Sequence, residues 1–167
     1  NVLTVKVVLD NGPVKSIRDI DISPGFFSDG PWGKKLLKVE GQDVTLNDIE
    51  HRILRPLWKD PRIHYALNCA SLGCPNLGTR AYEARKLDKQ LDIAAHTFIN
   101  HPRSARLENG EMIVSSIYDW FTVDFGGDEA GVITHLRTYA GPDLMAALDK
   151  HSRLDRAEYN WKLNGSF

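Results

Sequence analysis

A single mixed α+β domain over residues 1–167, with short antiparallel hairpins and several helices, is the fold class this sequence predicts. Two turn signals, one around Glu40, Gly41 and Gln42 and one at Asn109 and Gly110, lie between short β-like runs and read as hairpins. Residues 86–99 set Leu87, Leu91, Ala94, Ala95 and Phe98 at the spacing of one helix face. Glycine and proline are spread evenly, and no repeat, low-complexity tract or linker divides the chain.

The elements follow in order. Residues 2–9 (VLTVKVVL) are so apolar and β-branched that periodicity leaves buried strand and buried helix both open. Turn chemistry follows at Asn11, Gly12 and Pro13, and residues 23–33 (SPGFFSDGPWG) read as a loop with three aromatics. After the first hairpin, Thr45 starts a helix whose first turn carries Asp48 and whose far end is limited by Pro56. At about 100° per residue, Leu46, Ile49, Ile53 and Leu57 share a face, with Glu50 inside that stripe and His51 on its flank. A carboxylate is thereby aimed at the core, where it needs a cation, donors or its own proton.

In the 86–99 helix, His96 falls off the apolar stripe and faces solvent. The second hairpin pairs residues 104–108 with 111–115. Ser115 or Ser116 then caps a short helix over residues 117–125, ended by Gly126 and Gly127. Two further helices are divided by Gly141 and Pro142, with Pro142 suited to a first helical position. Residues 155–165 alternate enough to form a last strand.

Composition removes several function classes. Twenty-one basic residues balance twenty-two acidic ones, so no overall field favours nucleic acid or an anionic membrane surface. There is no glycine-rich phosphate loop, no basic stripe with interleaved aromatics, and no run of roughly 20 apolar residues that would insert in a membrane. What remains is a small-molecule, peptide or protein partner of unknown identity, with no cofactor and no metal indicated. The chain opens at Asn1, which keeps open a removed export signal and a bacterial periplasmic or exported location.

The chemistry-bearing stretch is residues 63–75, IHYALNCASLGCP. An extended chain holds Cys69 and Cys74 beyond disulfide reach, but Ser71, Gly73 and Pro75 favour an intervening turn, which makes a bridge sterically feasible in an oxidising compartment. Zinc fits poorly, because His64, Cys69 and Cys74 lack a fourth ligand. A catalytic Cys69 needs a base. His64 is five residues away, with opposite parity on a strand and about 140° of offset on a helix, so the two meet only if the chain bends. His51 comes from another element, and Glu50 beside it would orient an imidazole. Against this stands a cysteine that merely packs as a small core hydrophobe. Arg62 reads as a structural partner of Glu50 or Asp60, Asp119 and Asp124 do not form a convincing acid/base pair, and Trp32, Trp58, Trp120 and Trp161 read as core.

The stretches TLNDIEHRILRP (45–56), DPRIHYALNCASLGCPNL (60–77), AYEARKLDKQLDIAAHTFIN (81–100) and YNWKLNG (159–165) together resemble the DUF547 family, a domain of unknown function in bacteria and plants. The similarity runs along essentially the whole chain. In that family the IEH triplet and the H-x-A-L-x-C stretch recur, which maps onto Glu50, His51, His64 and Cys69. Plant members tend to carry serine at the position of Cys74, which implies a wider role for Cys69 than a bridge. A thiol near two histidines and a carboxylate is the composition of a papain-like or transglutaminase-like site, by analogy alone. Family members also carry a stretch of the FWINAYNALT kind before the segment matched here. The resemblance therefore implies that the chain starts inside the usual domain and lacks its N-terminal portion.

Two function classes survive. In one, Cys69 is the nucleophile of an acyl transfer or hydrolysis, His51 or His64 is its base, and Glu50 orients that base. In the other, the domain is a binding or scaffold module in which Glu50, His51 and His64 form a structural network and the cysteines are packed or bridged. The resemblance implies an association of plant relatives with extra coiled-coil segments, which favours the second.

Overall fold

The β-branched run at the N-terminus is helical in the computed structural model, which describes residues 1–20 and 30–164. Helix α1 (Val2–Asn11) buries Thr4, Val7 and Val8, an i, i+3, i+4 set that only a helix brings to one side. Lys6 and Asp10 pair one turn apart on its exposed face at 2.6 Å. The loop expected at residues 23–33 lies largely outside the described residues. Its end, Gly30–Gly33, is a 3₁₀ turn.

The described residues fall into two compact units. The first comprises Asn1–Asp60, Asn68–Cys74 and Asn160–Phe167. Its hairpin joins β1 (Leu37–Val39) to β2 (Gln42–Val44), pairing Val39 with Gln42, so Gln42 is already in the strand. The turn is Glu40 and Gly41 alone, both at positive φ (48° and 81°), the left-handed pair that matches the strand twist. Its core is Val7, Val8, Ile17, Ile20 and Ala70, with Trp32, Leu36 and Leu163 packed against them.

The segment after the hairpin departs from expectation. Thr45 and Asp48 cap it reciprocally: the Asp48 N–H donates to the Thr45 hydroxyl at 2.9 Å, and the Thr45 N–H donates to the Asp48 carboxylate at 3.0 Å. Asp48–Leu54 is π-helical, with the Arg55 N–H bonded to the Glu50 carbonyl, and it runs on into α2 (Arg55–Trp58). Pro56 therefore does not stop the helix. It stands in the first turn of α2, where its missing N–H costs little, and the wider turn before it relieves the crowding of its ring. The stop is Lys59, in the left-handed conformation.

A wider turn also changes the angular step, so the 46/49/53/57 stripe does not hold one face. Ile53 and Leu57 are exposed, at 38% and 69%. Glu50 is half-buried, not turned into the core. Trp58 (57%) and Trp120 (46%) are likewise exposed and not core.

The second unit is Pro61–Leu67 and Pro75–Tyr159. Short α3 (Ile63–Ala66) packs on α4 (Leu87–Ile99), which buries Leu91, Ala95, Phe98 and Ile99 and exposes His96. β3 (Ala105–Glu108) and β4 (Glu111–Val114) form the second hairpin around Asn109 and Gly110, again both at positive φ. The expected last strand is β5 (Asp155–Arg156), parallel to β4, and shorter than residues 155–165. Ser115 caps α5 (Ser116–Trp120) by accepting from the Ile117 N–H. The chain then tightens into a 3₁₀ turn, Thr122–Phe125, closed by Gly126 at φ 107°. α6 (Glu129–Tyr139) and α7 (Pro142–Leu148) complete the unit, with Pro142 at the start of α7. Their apolar faces enclose a core that includes Tyr65, Phe98, Met112, Tyr118, Phe125 and Leu136.

Candidate functional site

Of the four residues singled out from sequence, Glu50, His51 and Cys69 belong to the first unit and His64 to the second. Cys69 and Cys74 are joined by a disulfide across Cα atoms 6.2 Å apart. The turn that brings them together is centred on Ala70, left-handed at φ 57°, whose N–H donates to Asn68 Oδ1 at 2.8 Å. The Cys74 N–H closes it on the Ser71 carbonyl at 3.1 Å. The loop is seamed to the C-terminal tail, with Leu72 N–H donating to the Lys162 carbonyl at 2.8 Å and Gly73 N–H to the Asn160 carbonyl at 2.9 Å. The Ser71 hydroxyl, fully buried, donates to the Cys69 sulfur at 3.4 Å. A sulfur in this bond carries no thiolate, so in this state it is neither a nucleophile nor a metal ligand.

His51 is exposed, and the Arg55 guanidinium donates to its Nδ1 at 2.9 Å. Arginine only donates, so Nδ1 holds the lone pair and a neutral ring carries its proton on Nε2. Glu50, beside it, uses its carbonyl in the π turn.

His64 is 4% exposed on α3, and its Nε2 lies 2.7 Å from Asp124 Oδ2. Phe121 stacks on the ring at 4.2 Å and Phe125 lies at 5.3 Å. All three partners come from one short run, because the 3₁₀ turn at Thr122–Phe125 swings Asp124 away from the direction α5 would have given it. A carboxylate on one ring nitrogen fixes the tautomer and supports an imidazolium, the arrangement a general base needs. Asp124 is the residue that sequence reasoning passed over. It lies sixty positions from its partner, and no local spacing announces it. Arg62 reaches α4, with Asp88 at 3.0 Å and Asp92 at 2.7 Å.

A second polar chain crosses the same core. The Ser104 hydroxyl meets the Tyr118 hydroxyl at 2.6 Å, Tyr65 donates to Tyr118 at 3.4 Å, and Tyr65 lies 2.8 Å from His135 Nε2. Burial pushes the Tyr118 phenol up to about 12, against the opposing hydrogen bonds from Ser104 and Tyr65. Burial, reinforced by Tyr118, raises Tyr65 well above its ordinary value. Both phenols stay protonated near neutrality, which makes them structural donors and not bases.

Among the described residues, no helix is long and apolar enough to cross a membrane, and no three His, Cys, Asp or Glu side chains gather as a metal site. The profile of one family, described as "Protein of unknown function, DUF547", matches residues 1–99. No curated protein and no solved structure matches the chain.

Proposed function

The chain belongs to the DUF547 family, and on that premise we propose that it is a non-catalytic binding module in which the Cys69–Cys74 disulfide is structural. The observation that carries this reading is the bond itself, set in a loop whose backbone is seamed to the tail on both sides of Ser71. A half-buried Glu50 and an Arg55-bound His51 then serve as local structure, and His64 with the half-buried Asp124 as a polar tie in the second unit. The same bond argues for an oxidising compartment.

The test is mass spectrometry on native protein purified without reductant. Trypsin releases residues 63–80 as one peptide holding both cysteines, expected to be two hydrogens lighter than the dithiol and untouched by iodoacetamide. Alkylation of Cys69 at pH 6 in the unreduced, folded chain would overturn the reading.

One observation favours a second reading. His51 and Cys69, a candidate base and its thiol, belong to the same unit. On this reading a dithiol reductant first cleaves the disulfide. His51 then takes the Cys69 thiol proton, the thiolate attacks an acyl carbonyl, the leaving group departs with that proton, and water hydrolyses the thioester. After reduction with dithiothreitol, Cys69 alkylation would be fast below pH 7 and slowed in His51→Ala. A pH profile like that of an unperturbed thiol would sink it.

A further inference from the structure

The second unit holds a cleft of ≈ 350 Å³ between residues 75–82, which form neither helix nor strand, and α4. That volume lies within the range of small-molecule sites, about 300–1,000 Å³. Leu77 (44% exposed), Tyr82 (37%) and Ile93 (56%) converge on it, and Phe98 stands behind them. Three large apolar side chains half out in water around one hollow are the mark of a site and not of scattered surface. The loop is held open over the helix by Gln90, whose amide donates to the Ala81 carbonyl at 3.0 Å and accepts from the Glu83 N–H at 2.8 Å. The hollow is therefore built before any ligand arrives.

Its charge is one-signed. The chain as a whole carries a net charge of −1, yet the lining includes the cations Arg80 and Arg103 and no Asp or Glu. Arg80 has no ion-pair partner among the described residues. Arg103 donates to Asn76 Oδ1 at 2.8 Å and through its Nε to His101 Nδ1 at 3.3 Å. Burial, and then the neighbouring Arg103, lower the His101 pKa, so near neutrality this ring accepts from the guanidinium.

We propose that this cleft binds an amphipathic small-molecule monocarboxylate, its carboxylate at Arg80 and Arg103 and its aliphatic or aromatic body over Leu77, Ile93 and Phe98. This rests on the binding-module reading and supplies its ligand class. Guanidinium groups favour the planar two-oxygen head of a carboxylate, and the apolar walls add affinity in proportion to the area they cover.

Calorimetric titration of the whole chain with decanoate tests it, with decanol and decyltrimethylammonium as probes of equal length. Decanoate should bind at least about tenfold tighter than decanol, and the cation not at all. Arg80→Gln should weaken decanoate about tenfold while leaving decanol unchanged, and Ile93→Ser should weaken both. Arg80 and Ile93 are exposed, and unchanged thermal melting of both variants certifies that they fold. Equal affinity for decanoate and decanol, indifference to Arg80→Gln in a folded variant, or no heat with any probe each overturns the proposal. The two readings fail separately. Alkylation of an unreduced Cys69 in a chain that still takes decanoate refutes the module alone, and an intact bridge in a chain that ignores decanoate refutes the cleft alone.

Discussion

The two units are held together by different means. Among the described residues the first buries five hydrophobic side chains in its core cluster, and the second buries thirteen, five of them aromatic or sulfur-bearing. The first also contains the disulfide, the backbone seam to the tail and the reciprocal Thr45–Asp48 cap. The second has no covalent staple and relies on packed aromatics threaded by hydroxyl and imidazole hydrogen bonds. A small core supplies little hydrophobic free energy, and a cross-link that restricts the unfolded chain compensates for that shortfall.

Breaking the packed unit should cost most. A Cβ on Gly131 would meet the Phe125 carbonyl oxygen and the Gly126 Cα at 2.7 Å, backbone atoms of the turn that carries Asp124. Gly131→Ala should therefore lower stability by about 3 kcal/mol in urea denaturation, although helix propensity alone favours alanine by about 1 kcal/mol. A stabilised variant would show that close packing does not set this turn.

The pH dependence of the same unit is almost as large. Tyr118 titrates near 12 when folded, from burial, against 10 in its ordinary state. A raised folded value means the contribution is complete below pH 10 and is lost as pH climbs through 12, about 3 kcal/mol in all. Urea midpoints measured from pH 9 upward should fall along that limb, and Tyr118→Phe should flatten it.

The staple comes next. Replacing both Cys69 and Cys74 with serine opens a six-residue loop and should cost about 2 kcal/mol by the chain-entropy estimate. Amide exchange should accelerate in α1 and residues 68–74 more than in α4. Uniform acceleration would erase the distinction between the units.

The smallest effect is the cap. Thr45→Ala should cost about 1 kcal/mol. The Thr45 backbone bond, then its hydroxyl, hold the Asp48 carboxyl below its ordinary range. A lowered folded value gives stability above the ordinary carboxylate pKa that is lost as pH falls through the folded one. A carbon-detected NMR titration should find the Asp48 midpoint moved upward in the variant, and an unmoved midpoint would dismiss the cap.

How legible these features were depends on how local their causes are. Both hairpins and α4 follow from residues within a few positions of one another, and so does the turn that admits the Cys69–Cys74 bond. The 46/49/53/57 stripe failed because its reading assumed a hydrogen-bond ladder that Pro56 and the π turn replace. His64 was legible as a special residue but its partner was not, since Asp124 arrives from sixty positions away through a tightened turn. The parallel pairing of β5 with β4 left no local trace either.

The seam between residues 70–73 and 160–164 has a consequence for the order of events on the ribosome. The disulfide spans a sequence separation of 5, and its loop needs nothing made later. The Ser71–Leu163 bridge closes a span of about ninety residues, with the entropy cost that length implies, and waits for residues 160–164 to emerge. Residues 75–159 are synthesised in full before that happens. A nascent chain stalled before residue 160 would hold the staple without the seam.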